Sequence, residues 1–309
     1  MELRRVAPVV GLCALLAADA VLIVWAFRGM PTDDPDPAAA TRPPTSTSAS
    51  ASPSPSPTGS AAALKPAPVE RIVAAVDSTI AWVARAGACD EPGAVWVTDD
   101  EGESWSRRDA PARVLRVRPS SATSGFVTGG DDGCDLRLWN TGNAGRAWSE
   151  PSSAAEAWSR VPDDAKAVHT PADDLARPCG SSRRVLDLAA ISTQRAQVLC
   201  ENGDVHTTAD AGRSWQKSFT VKGALAIAAV EGDSGVVVRT TSSCRGVVAV
   251  PMVSGEPRGD GECVQGTARS GSVSVSGSDG GWWLVVGDRV HRAEDAGGPW
   301  SRTGGSLEG

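Results

Sequence analysis

The chain has 309 residues, including 33 Gly, 21 Pro and 11 Trp but no Tyr, and its formal charge at pH 7 is −7. Beyond the first 30 residues the charge is −8, from 35 acidic and 27 basic residues. An acidic chain lacks the broad electrostatic attraction for a polyanion, so we expect no nucleic-acid partner.

The N-terminal segment is predicted to cross a membrane. Residues 6–27 form an apolar run with a single charge, Asp19, and a helix of this length spans roughly 33 Å, enough for a bilayer. Because Arg4 and Arg5 precede the run, the positive-inside rule places residues 1–5 in the cytoplasm. Apolar residues continue beyond the Ala-Asp-Ala motif, so a retained anchor is favoured over a cleaved signal peptide. We predict a single-pass cell-membrane protein whose remaining chain is extracytoplasmic.

The segment after the anchor is predicted to be a disordered linker. Residues 28–68 are rich in Pro, Ser and Thr and contain almost nothing to bury. Such a composition cannot offset the entropy cost of folding. We interpret the linker as a spacer that holds the next domain away from the membrane.

Short apolar runs separated by Gly, Asp and Ser fill the chain from residue 69 to residue 305. Four consecutive runs over 71–109 (RIVAAVD, TIAWVARAG, GAVWVTDD and SWSRRD) have the length and composition of β-strands, and similar sets recur. A four-stranded unit repeated about every 40 residues is typical of an all-β propeller. We therefore predict a β-propeller over 69–305 and a tail at 306–309.

A turn motif repeats within these units, between the third and fourth runs. Its spacing is T-x-D-x-G-x-x-W, with variation at the first two named positions. The members of the four copies are Thr98, Asp100, Gly102 and Trp105; Thr141, Asn143, Gly145 and Trp148; Thr208, Asp210, Gly212 and Trp215; and Ala293, Asp295, Gly297 and Trp300.

Each residue type in the motif has a role in closing a hairpin turn. Asp and Thr can bond the turn amides, Gly accepts a positive φ, and the Trp ring can return to the core of the blade. We therefore expect a structural role for the motif, and we expect neither a metal nor a cofactor. His206 and His291 lie at matching places before two copies, which indicates a structural position inherited with the repeat.

The motif spacing predicts the number of blades. Thr98 and Thr141 are 43 residues apart, which is one unit, and Thr208 and Ala293 are 85 apart, which is two. Thr141 and Thr208 are 67 apart, and the excess lies in an irregular insert over 154–180. We predict six blades, one of them reduced, with five or seven as alternatives.

Six cysteines lie beyond the predicted anchor, an even number that indicates three disulfides in an oxidising compartment. Sequence alone does not determine their connectivity, and no C-x-x-C pair suggests zinc. We expect the pairs Cys89–Cys134, Cys179–Cys200 and Cys244–Cys263.

The four motifs resemble the Asp-box, or BNR, repeats of the sialidase-like β-propeller superfamily. The resemblance covers residues 69–305 and implies a fold far more specifically than an activity. The superfamily includes sugar-binding proteins, sortilin-type receptors and a photosystem assembly factor besides sialidases. The sialidases use a tyrosine nucleophile, and this chain has no tyrosine, so we exclude that activity.

Three functions remain compatible with the sequence. The anchor, the linker and the missing catalytic set favour a non-enzymatic cell-surface propeller that binds a protein partner or a cell-envelope glycan. The alternatives are an unconventional glycoside hydrolase or lyase with carboxylates at the propeller channel, and an assembly factor for a membrane complex. Because loops that interrupt a repeat often carry its function, we place the candidate ligand face on the insert, at Trp158, Asp173, Asp174 and Arg177.

Overall fold

The computed structural model describes residues 70–172, 175–269 and 271–307. They belong to one of two compact units of the chain, Ala62–Gly309. The predicted anchor, residues 6–27, and the predicted linker, residues 28–68, lie wholly outside these ranges. No helix in the described ranges is long and apolar enough to cross a membrane.

The described residues form an all-β propeller of five blades. Each blade is an antiparallel sheet of consecutive strands. Blade 1 contains β1 (Arg71–Ala75), β2 (Ala81–Arg85), β3 (Ala94–Thr98) and β4 (Ser106–Asp109); blade 2 contains β5 (Arg113–Pro119), β6 (Gly125–Gly130), β7 (Leu136–Thr141) and β8 (Ser152–Ser153). After the short strands β9 (Ser159–Arg160) and β10 (Val168–His169), blade 3 contains β11 (Val185–Ala190), β12 (Ala196–Cys200), β13 (Asp204–Thr208) and β14 (Gln216–Thr220). Blade 4 contains β15 (Ala224–Ala229), β16 (Gly235–Arg239), β17 (Gly246–Val253), β18 (Glu256–Pro257) and β19 (Glu262–Gln265); blade 5 contains β20 (Val273–Ser278), β21 (Gly281–Val286), β22 (Arg289–Ala293) and β23 (Ser301–Arg302).

The sixth blade that we favoured is not found as a four-stranded sheet. The insert between blades 2 and 3 forms only the two-stranded sheet of β9 and β10, which we call the ribbon. Pro162, Pro171 and Pro178 interrupt this segment, and proline cannot donate to a strand ladder. The five-blade alternative therefore describes the four-stranded sheets, and the ribbon is an addition to them.

The hydrophobic core lies between blades. Trp82 of blade 1 is fully buried in a cluster with Val114, Val127 and Trp139 of blade 2. Central strands such as β3 and β21 are buried along their whole length because neighbouring blades cover both of their faces. Packing of sheet on sheet therefore stabilises the ring.

The last blade closes the ring against the first through side chains. The amides of Val73 and Ala75 in β1 donate to the hydroxyls of Ser274 and Ser276 in β20, each at 3.0 Å. Leu307, which we assigned to the tail, is 2% exposed and packs in the core between blades 5 and 1. The propeller therefore extends beyond residue 305.

All three expected disulfides are confirmed: Cys89–Cys134, Cys179–Cys200 and Cys244–Cys263. The first joins a loop of blade 1 to a loop of blade 2. The second ties the insert to the end of β12, and the third lies within blade 4. The three disulfides therefore join blade 1 to blade 2, join the insert to blade 3, and cross-link blade 4 internally.

Replacing the second disulfide is expected to destabilise the propeller. Its cysteines are 21 residues apart, and a loop of that length is stabilised by about 3 kcal/mol when it is cross-linked. We expect the double variant Cys179→Ser/Cys200→Ser to lose about 2–4 kcal/mol of unfolding free energy, measured by guanidinium denaturation without reductant. An unchanged denaturation midpoint would contradict the role assigned to this cross-link.

Candidate functional site

The repeated turns use their polar groups internally. In the first copy, the Thr98 hydroxyl donates to Asp100 Oδ1 at 2.7 Å and accepts the Gly102 amide at 3.0 Å, while Asp100 Oδ1 accepts the Ser104 amide at 3.0 Å. Hydrogen bonds from Ser104 and Thr98 lower the pKa of Asp100 to about 2. The same pattern recurs in the copies beginning at Thr141 and Thr208.

The fourth copy keeps only part of this pattern. Asp295 Oδ1 accepts the Gly297 amide at 2.7 Å, but Ala293 has no hydroxyl to complete the turn. The positive φ also moves, from the motif glycine to Gly298. The fourth copy, which has Ala293 in place of the motif threonine, thus forms a turn with fewer side-chain hydrogen bonds.

The motif glycine is required for two reasons. Gly102 has a φ of +84°, and a Cβ at this position would lie 2.8 Å from Cβ of Thr303 in blade 5. Gly212 has a φ of +91°, and its Cβ would lie 2.7 Å from Cβ of Thr170 in the insert. The glycine therefore permits both the backbone conformation and the close approach of the preceding element.

The motif tryptophans lie between blades, whereas we expected them in the core of one blade. Trp105 meets Trp283 of blade 5 edge to face, with ring centroids 5.9 Å apart. Trp148 of blade 2 donates to the Asp109 carbonyl of blade 1 at 3.1 Å. Each motif therefore stabilises its own turn and the junction with the element before it.

Substitution of Asp100 should separate a structural acceptor from a metal ligand. Asn143 makes the equivalent bonds in the second copy, so we expect Asp100→Asn to cost less than about 0.5 kcal/mol. Asp100→Ala removes the acceptors and should cost about 1 kcal/mol. Both changes in unfolding free energy are obtained from denaturation midpoints, each measured once with added calcium and once with a calcium chelator. A calcium-dependent midpoint in the wild-type protein would oppose the structural assignment.

The candidate ligand face on the insert is not assembled as expected. Trp158 is 3% exposed, and its Nε1 donates to the Ser192 carbonyl at 2.8 Å while its ring meets Trp215 edge to face. Arg177 pairs with Asp164 at 2.5 Å and does not line the cavity that Trp158 lines. Asp173 and Asp174 lie outside the described residues.

Trp158 has a counterpart in blade 5 that explains its burial. Trp283 Nε1 donates to the Asp77 carbonyl of blade 1 at 2.8 Å, and its ring meets Trp105. Trp158 makes the same two contacts with blade 3. Thr170 likewise approaches Gly212 as Thr303 approaches Gly102. The insert thus reproduces the contacts of a blade on its blade 3 side, and Trp158 is a junction residue.

A central channel of about 710 Å³ runs along the first strand of every blade, β1, β5, β11, β15 and β20. Asp187 is the one acidic residue within these five strands. Its oxygens accept bonds from Arg160 Nη2 at 2.7 Å, the Leu188 amide at 2.9 Å and the Ile227 amide at 2.9 Å. Asp187 therefore ties the ribbon to blades 3 and 4. The other carboxylates that line the channel, Asp77, Glu231 and Asp279, lie just beyond the ends of these strands.

A second cavity, which we call the ribbon cleft, lies between blade 2 and the ribbon. The ribbon has only two strands and lacks the outer strands of a complete blade. The volume of the ribbon cleft is about 600 Å³. Its walls are formed by the apolar residues Phe126, Leu138, Ala154, Ala155, Ala157 and Trp158, by the charged residues Arg116, Arg118 and Glu156, and by Ser153, Ser192 and Thr193. The ribbon cleft thus combines an apolar wall with two cations and one carboxylate, a net charge of +1.

Arg116 and Arg118 line both the channel and the ribbon cleft. Arg116 Nη1 donates to the Trp158 carbonyl at 2.8 Å. Burial, with a smaller contribution from Arg118, lowers the pKa of Arg116 to about 9. In the described residues no carboxylate pairs with either arginine. The sequence contained a signal for Arg118, because the strand registers place small residues, Ala74 and Ala189, at its position in blades 1 and 3, whereas Arg116 corresponds to Asp187 of blade 3.

His206 and His291 occupy the matching strand positions that the repeat predicts, in β13 and β22. His291 is 6% exposed, its Nε2 has no hydrogen-bond partner, and burial lowers its pKa to about 4. Burial also lowers the pKa of His206. In the described part of the chain, the one group with metal-ligand geometry is Cys89, Cys134 and Asp163, and its cysteines form a disulfide.

His291 should make the propeller sensitive to mild acid. Below pH 6.5 the unfolded chain protonates this histidine, whereas the folded protein resists protonation until about pH 4, so stability falls as the pH decreases between these values. We expect a loss of roughly 1–3 kcal/mol, and His291→Leu should reduce this slope in denaturation experiments between pH 7 and 4. An identical slope in the variant would count against the assignment.

No protein-family model and no curated protein sequence matches the chain. Among solved structures it is similar to the GH74 xyloglucanase of Xanthomonas campestris (16% identity, 75% of this chain and 38% of that chain, TM-score 0.29). It is also similar to PorZ, a surface component of the type-IX secretion system of Porphyromonas gingivalis (10%, 76% and 35%, 0.40). A third similar structure is YCF48 from Cyanidioschyzon merolae (15%, 77% and 86%, 0.27). The chain thus spans well under half of the xyloglucanase, and its assignment as a propeller rests on its own strand order.

Proposed function

We propose that this protein is a membrane-anchored, non-enzymatic propeller that binds an extracytoplasmic protein or an envelope glycan in the ribbon cleft. The observation that carries the proposal is the cleft itself, an open cavity of about 600 Å³ with apolar walls and two arginines. Cavities of this size with a few polar groups are typical binding sites.

The charges of the ribbon cleft favour a ligand with an acidic group. Arg116 is partly buried and bonded to one carbonyl, so most of its donors are free of protein acceptors. Arg118 is exposed beside it. An anion between them would offset the cost of burying one guanidinium and the repulsion between the two.

Two further observations support a binding role over hydrolysis. The chain has no tyrosine for the sialidase mechanism. Of the carboxylates that line the channel, Asp187 is used to join blades and Asp77 accepts bonds from Thr79 and Ile80 of its own turn, which leaves Glu231 and Asp279 at the channel end. The four turn motifs support placing the propeller among the Asp-box, or BNR, proteins. Residues 6–27 would hold it at the cell membrane and residues 28–68 would extend it outward.

Site-directed photo-crosslinking in the protein's own membranes tests this function. Ala155 is exposed in the ribbon cleft, and Lys222 is exposed on blade 3 outside it. A crosslinker at Ala155 should capture one envelope protein or glycan, identified by mass spectrometry, and a crosslinker at Lys222 should not. Arg118→Glu should reduce that capture at least tenfold, because it reverses the charge at the mouth of the cleft.

The same preparation tests the anchor. The full chain should remain in membranes after carbonate washing, and a chain without residues 1–28 should be released. Equal capture at Ala155 and Lys222, or capture unaffected by Arg118→Glu, would refute the cleft as the binding site.

A further inference from the structure

One position in the second strand of the blades faces the next blade and fills the junction. Trp82 and Trp283, which occupy it in blades 1 and 5, are fully buried against blades 2 and 1 respectively. The strand registers place Gln197 at the same position in blade 3, opposite Ala189 and Thr207. Its strand neighbour Leu199 packs against blade 4, and alternation puts Gln197 on the same face.

The smaller glutamine leaves a cavity of about 510 Å³ between blades 3 and 4, which we call the junction cavity. Gln197 is 7% exposed, and its Oε1 has no hydrogen-bond partner. Blade 4 also lacks an aromatic residue at this position, where it has Val236, but there Trp282 of blade 5 packs into the junction from the other side. The junction between blades 3 and 4 is therefore polar and incompletely filled at this position, whereas Leu199, Ile227 and Met252 pack the rest of it.

The charged groups around the junction cavity have partners of their own. Arg195 pairs with Asp233 at 2.5 Å. Asp210 is bonded by Thr208 and Ser214 of its turn. Glu256, which also lines the cavity, pairs with Arg258 at 3.6 Å. Since these charges are compensated, the cavity does not select a strongly charged ligand.

The groups that remain are neutral donors and acceptors. Gln197, Thr207, Gln216 and Ser218 line the cavity, and the hydroxyls of Thr207 and Ser218 lie 2.9 Å apart. Ile191 adds a small apolar surface. Neighbouring hydroxyl and amide groups beside an apolar patch complement a sugar ring, which presents hydroxyls at its edge and C–H groups on its face.

We propose that the junction cavity is a second binding site, independent of the ribbon cleft, that holds a neutral carbohydrate residue through the Gln197 amide. On binding, the Gln197 side chain turns toward the cavity, because its Oε1 is enclosed in the unliganded protein, and the amide donates to one sugar hydroxyl and accepts from the next. This satisfies the polar group that the fold leaves buried without a partner. The cavity volume lies within the range of small-molecule sites, about 300–1,000 Å³.

Saturation-transfer NMR on the full chain in lipid nanodiscs tests the site, with cellobiose and N,N′-diacetylchitobiose as probes. We expect binding of at least one of these neutral sugars by the wild-type protein. Gln197→Trp fills the cavity in the manner of Trp82, and Gln197→Leu removes the amide at similar volume. Each should weaken binding at least tenfold.

Controls separate this site from unfolding and from the ribbon cleft. Gln197→Leu should also raise the melting temperature, because it removes a buried acceptor without a partner. Lys222→Trp, outside the cavity, and Arg118→Glu, in the ribbon cleft, should bind the sugars as the wild-type protein does. Binding of neither sugar, or equal binding by the Gln197 variants, would overturn the proposal, whereas the photo-crosslinking result at Ala155 would stand unaffected.

Discussion

The propeller depends on one repeated contact, in which a large side chain from one blade is buried against the next. No strand is exchanged between the ends of the described ring, so these junctions carry the circular arrangement. Trp82 and Trp283 fill two of them completely. Burial of an aromatic ring of this size stabilises a junction by a few kcal/mol, which makes the identity of this residue decisive for each boundary.

Both proposed sites follow from departures from that contact. Phe126 occupies the filling position in blade 2, but the ribbon beside it has no outer strands, so its ring lines the ribbon cleft. Gln197 occupies the same position in blade 3 and leaves the junction cavity. Two junctions, between blade 2 and the ribbon and between blades 3 and 4, are thus incompletely filled. The remaining junctions between blades are closely packed. Binding surfaces arise where the repeat is imperfect.

The turn motif and the junctions are physically connected. The motif glycine accepts a threonine of the preceding element, and the motif tryptophan packs there as well. The Thr and Asp of the motif bond the turn internally. The turn therefore keeps its glycine and tryptophan in position to contact the preceding element. The insert has no copy of the motif, but its Trp158 and Thr170 contact the Trp215 ring and Gly212 of the blade 3 copy in the same way as blade 5 contacts the blade 1 copy.

The sequence by itself determined the all-β repeat, the turn motif with its internal bonds and the number of disulfides, because strand alternation, turn chemistry and cysteine count do not depend on how distant parts of the chain meet. The pairing of the cysteines was an expectation that the structure confirmed. It also excluded the tyrosine-based sialidase mechanism. It did not determine the blade count or the candidate site. Trp158 was expected to face a ligand. A carbonyl of blade 3 and the Trp215 ring hold it at the junction, where it also forms part of the wall of the ribbon cleft. Arg116 and Gln197 became significant only when blades far apart in the chain were brought together. Tertiary packing decides which side chains are fully buried and which border a cavity. No local sequence pattern distinguishes the two.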